Sequence, residues 1–72
     1  MTQPWPGDTV RIAHPDSQCY GMEGIVEAMW VGHAQGILYE IRIPENGWLV
    51  ELYDKSVVFV KLDPRVEEVE RG

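Results

Sequence analysis

Apolar and polar residues alternate along this chain in short bursts of period two. Nowhere is the three-to-four-residue spacing of a long amphipathic helix sustained. The first burst, Thr9-Val10-Arg11-Ile12, predicts a half-buried strand with Val10 and Ile12 inward, entered through a Gly7-Asp8 turn. Residues 13–21, AHPDSQCYG, are rich in turn formers and read as an irregular loop. A long, bent second strand is expected over residues 22–31. Strict alternation would put Gly24, Val26, Ala28 and Trp30 on one face and Ile25, Glu27, Met29 and Val31 on the other. Gly24 marks a bulge or a close approach of backbones. Glycines bound a loop at 32–36. The stretch ILYEIRI, 37–43, alternates most cleanly, with Ile37, Tyr39, Ile41 and Ile43 facing one way and Leu38, Glu40 and Arg42 the other.

Residues 44–47, PENG, form a tight connection in which Asn46 and Gly47 tolerate positive φ. A fourth strand follows at 48–52. Residues 53–56 read as a turn with a single turn of 3₁₀ helix, and VVFV at 57–60 as the fifth strand. At the N-terminus Pro4 and Pro6 enforce an extended lead-in, with Trp5 placed to staple it to the sheet. From Asp63 onward the chain reads DPRVEEVERG. Val66 and Val69 have the spacing of one helical turn, but a helix so short does not hold in water, so this segment is expected to fray. The division is thus a folded unit at 1–62 and a flexible charged tail at 63–72. Five short strands without a helix point to an all-β small barrel, because closing a sheet removes its exposed edges.

Composition narrows the choice of partner. The 72 residues make one domain. Twelve acidic side chains against six basic ones give a net charge of −6, and the cations are scattered through the sequence. This works against phosphate contacts and against a polybasic membrane anchor. One cysteine, Cys19, cannot make an internal disulfide. The start MTQPWPGD shows no basic-then-apolar leader, and the longest apolar runs are too short to span a bilayer. A cytoplasmic chain without membrane insertion is expected.

Candidate chemistry is thin. His14, Cys19 and His33 are the soft metal ligands, but their spacings of five and fourteen residues lack the close pairs of a zinc site. Cys19 and His14 share a loop, yet a nucleophile also needs an orienting third group and an oxyanion hole. Cys19 reads instead as a small apolar plug beneath Tyr20. Acid pairs occur at Glu23/Glu27 and Glu67-Glu68; general acid–base work needs one carboxyl in an apolar pocket, Glu67 and Glu68 read as solvated acids in a polar tail, and GMEG lacks the lysine of a phosphate loop. No catalytic residue, metal site or cofactor is expected. Tyr39 belongs to the core. Trp5, Tyr20, Trp30, Trp48 and Tyr53 lie at turns or strand ends, where they either cap the sheet or anchor a partner.

The pattern GD-x-V-x-I … G-x-x-G-x-V, carried by Gly7, Asp8, Val10, Arg11, Ile12, Tyr20, Gly21, Glu23, Gly24 and Val26, resembles the first half of an SH3-like barrel. It is similar to the KOW motif of ribosomal and transcription-factor barrels. It is also similar to small photosynthetic accessory barrels, among them the small stromal subunit of photosystem I, the variable chain of ferredoxin–thioredoxin reductase and the ferredoxin-docking subunit of the photosynthetic NADH-dehydrogenase-like complex. The resemblance implies an SH3-like five-stranded barrel with a 3₁₀ turn before the last strand. It further implies a non-enzymatic accessory or regulatory subunit of a larger, photosynthetic, cyanobacterial assembly. The alternative is a KOW-like RNA- or ribosome-associated barrel. Those relatives meet anionic partners with basic residues, whereas this chain is acidic. The expected partner is therefore a protein with a basic surface, met through loops 13–21 and 32–36 and through Tyr20, Trp30, His33, Trp48 and Tyr53. Homodimerisation is a second way to cover those rings.

Overall fold

A computed structural model describes residues 3–65. Five strands form one antiparallel sheet: β1 (Thr9–Ile12), β2 (Glu23–His33), β3 (Gly36–Ile43), β4 (Trp48–Tyr53) and β5 (Val57–Lys61). A 3₁₀ turn, Asp54–Ser56, joins β4 to β5. The strand order is β4-β3-β2-β1-β5. β2 serves both halves of the sheet, pairing with β1 over Glu23–Ile25 and with β3 from Ile25 onward.

The expected closed barrel is realised only in part. β4 and β5 are the two ends of the ladder and do not pair, so the sheet is not closed. The three-residue turn carries the chain directly from one edge strand to the other. Its Ser56 carbonyl accepts the Ala13 amide at 2.8 Å, which ties that corner to the end of β1 without a β4–β5 ladder.

The core is Val10, Ile12, Cys19, Val26, Tyr39, Ile41 and Ile43, with Met22, Met29, Ile37, Val50, Leu52 and Val57 packed against it. The alternation in β1 and β3 puts these residues where the sequence places them. β2 departs from strict alternation. Val26 pairs with Ile41 and Ala28 with Glu40, so Glu27 is the extra residue of a bulge. Beyond it the faces exchange: Met29 joins Tyr39 on the core side, and Ala28 and Trp30 turn outward. Gly24 is not the bulge but the close approach. A methyl group there would collide with the Ile41 and Ile43 side chains.

Loop 32–36 is also shorter than expected, since strand pairing runs to His33 and resumes at Gly36. In the β3–β4 connection Gly47 takes positive φ and donates to the Ile43 carbonyl at 2.7 Å. Asn46 keeps negative φ and instead accepts the Trp48 amide on Oδ1 at 3.0 Å.

Pro4 helps to hold the lead-in. Pro4 is buried, and its carbonyl accepts the Tyr39 hydroxyl at 2.9 Å. Trp5 is half exposed, and its amide donates to Asp8 Oδ2 at 2.8 Å. Asp8, fully buried, also accepts the Asp63 amide on Oδ1 at 2.8 Å. One carboxylate therefore joins both ends of the described chain. Asp63, at the expected start of the tail, is itself buried, and Arg65 folds back on it at 2.8 Å. This contact holds the Arg65 guanidinium above its usual pKa. The expected fraying, with Val66 and Val69, lies outside the described residues. Among the described residues no helix is long and apolar enough to cross a membrane.

Candidate functional site

The face of β2–β3–β4 turned away from the core is set by register. Trp30 lies opposite Leu38, and Leu38 opposite Tyr53, so these three form one row across three strands. Neighbouring strands are about 4.8 Å apart, which puts the three side chains in reach of one another. His33 extends the row, its ring meeting that of Tyr53 edge-on with centroids 6.1 Å apart. Trp30 remains 44 % exposed, which leaves much of a large ring uncovered.

The next row on the same face is Ala28, Glu40 and Glu51. Glu40 and Glu51 are direct cross-strand partners and carry like charges. Such opposition destabilises a sheet. Arg42, two positions along from Glu40 on this face, is held elsewhere: its Nε donates to Glu27 at 3.0 Å. Among the described residues neither Glu40 nor Glu51 has an ion-pair partner. The bulge residue Glu27 thus holds a cation that leaves the same face two positions from Glu40.

The five expected contact residues do not form one cluster. Trp30, His33 and Tyr53 come together. Trp48, 47 % exposed, pairs with the core residue Ile43 and so belongs to the other face, at the far end of β4. Tyr20, 61 % exposed, sits before the start of β2, whereas Trp30 lies near its other end. Loop 13–21 is a succession of turns. Ser17 donates its amide to the His14 carbonyl at 3.0 Å, and its Oγ accepts the Cys19 amide at 3.0 Å. This directs Cys19 into the core and leaves Tyr20 outside.

Leu38, Glu40 and Glu51 belong to the outer face but were not singled out by sequence reasoning. A row across three strands exists only once the register is known, and the Glu27 bulge sets that register. The signal available was the outward alternation of Leu38 and Glu40 in the third strand.

An open cleft of about 460 Å³ lies between Ala13–His14–Pro15 and the β4–3₁₀ corner, with Tyr53 on its wall. His14 is its one imidazole, and the Cys19 thiol is buried in the core. Among the described residues no three His, Cys, Asp or Glu side chains gather in a metal-binding arrangement. The Tyr39 phenol is raised above its usual value, chiefly by burial and then by the charges of Asp54 and Asp8. Its hydroxyl is engaged with Pro4 inside the core, where it supports structure.

Compared with models of known families, with curated proteins and with solved structures, the chain finds no match in any of the three.

Proposed function

We propose that this chain is a non-enzymatic docking module of SH3-like barrel type, an accessory or regulatory subunit that joins a larger assembly by protein–protein contact. The observation that supports this reading most is the row Trp30–Leu38–Tyr53, with His33 against it, on a sheet face turned away from the core. Tryptophan and tyrosine dominate binding hot spots because they bring large area at small entropic cost. The net charge of −6 favours a partner with a basic surface. The sequence resemblance supports the accessory role in a photosynthetic assembly. An RNA-binding reading gains nothing from this face, whose second row is acidic.

A photo-crosslinking residue at position 38 tests the reading in cells of the source organism. One dominant protein adduct that disappears in Trp30→Ala, with the fold intact by circular dichroism, is the expected result. Adducts unchanged by Trp30→Ala would remove this face from the proposal.

A further inference from the structure

The outer face carries a pair of like-charged residues in direct cross-strand opposition. Glu40 and Glu51 face each other across β3 and β4, on the outer face, with the small Ala28 as the third member of their row. Directly opposed residues have Cβ atoms about 5 Å apart, so the two side chains leave the sheet from adjacent positions on one face. Arg42 is bound by Glu27, and Lys55 lines the same cleft as Glu51 without forming an ion pair with it. The adjacent row on the same face carries the rings of Trp30 and Tyr53.

We infer that the partner presents an arginine whose guanidinium seats between Glu40 and Glu51, with its plane or stem against Trp30 and Tyr53. This inference rests on the docking reading and names the chemistry of the occupant. A planar guanidinium can donate to two carboxylates at once and stack on an aromatic ring, which the compact lysine ammonium does less well. Binding converts a repulsive cross-strand pair into a bridged one, so the acids favour the complex over the free chain.

The test is a low-salt NMR titration of the full chain with acetyl-Gly-Arg-Leu-Arg-Gly-amide, and with the same peptide carrying lysine or the neutral isostere citrulline. The expected shifts fall on Trp30, Leu38, Glu40, Glu51 and Tyr53. Arginine should bind more tightly than lysine, and tighter than citrulline by roughly tenfold or more. The double variant E40Q/E51Q should lose that preference while melting at a higher temperature than the parent. This would show that the fold is kept and the repulsion relieved. Equal binding of the citrulline peptide to the same residues would overturn the arginine site and leave the docking face standing. No shift on this face at millimolar peptide, or arginine binding untouched by E40Q/E51Q, would also overturn it. The same resonances shifting on concentration of the protein alone would assign the face to a second copy and overturn it too. Failure of the docking reading is read separately, from the position-38 crosslink.

Discussion

A methyl group at Gly24 would meet Ile41 and Ile43 and lie 2.9 Å from the Arg42 carbonyl oxygen. Its φ is not in the left-handed region, so the requirement is space rather than backbone freedom. Gly24→Ala should therefore cost about 1–3 kcal/mol, as core overpacking does, measured by urea unfolding. Tyr39 presents the opposite case, a large side chain with one polar atom in the core. Its hydroxyl donates to the Pro4 carbonyl, and Tyr39→Phe should cost about 1 kcal/mol near neutral pH. The same substitution carries a pH signature. Burial, then Asp54 and Asp8, raise the folded phenol's pKa, whereas in the unfolded chain it ionises near pH 10. Its contribution is complete below about pH 10 and is lost as pH rises from there through the raised folded value. Stability of the parent should thus fall more steeply above about pH 10 than that of Tyr39→Phe, in unfolding midpoints taken across that range.

Among the strands, β2 shows most directly how one residue redirects many. Removing Glu27 would erase the bulge and leave Val26, Ala28, Met29 and Trp30 in plain alternation, on the faces and opposite the β3 partners they already have. Deletion of Glu27 should therefore keep cooperative unfolding, whereas one further residue inserted after it would turn Ala28 and Trp30 to the core side and should abolish it. Glu27→Ala, which keeps the bulge and loses only the exposed pair with Arg42, should cost less than about 1 kcal/mol. Comparing these variants by chemical denaturation separates the register effect from the ion pair and from the bulge itself. The chain ends are joined in another way. Asp8 accepts the amides of Trp5 and Asp63, so Asp8→Ala would leave two amides without that acceptor beneath the lead-in. A loss of about 2 kcal/mol or more is expected, with faster hydrogen exchange at the Asp63 amide as the local readout.

For the molecule as a whole, charge sets how partners are met. A net charge of −6 steers basic surfaces inward and weakens as salt rises. Association with the proposed basic partner should slow with ionic strength, mainly in the on-rate measured by stopped flow. Trp30→Ala should act mainly on dissociation, losing about 2 kcal/mol of affinity, the range of a central aromatic anchor. Its exposed position means that the unfolding midpoint should move little.

Period-two alternation in 9–12 and 37–43, and the glycines at 7, 24 and 47, were enough to define the all-β class, the five strands and most of the core, because those signals are local. Three matters needed the assembled sheet: the face of the β2 residues after Val26, the row that joins Trp30 to Tyr53, and the opposition of Glu40 to Glu51. Each depends on pairing between strands distant in sequence. One inserted residue in β2 shifts that pairing and leaves no trace in local propensity. Packing against Ile41 and Tyr39 selects the register that buries Val26 and Met29, and the outer face follows from that choice.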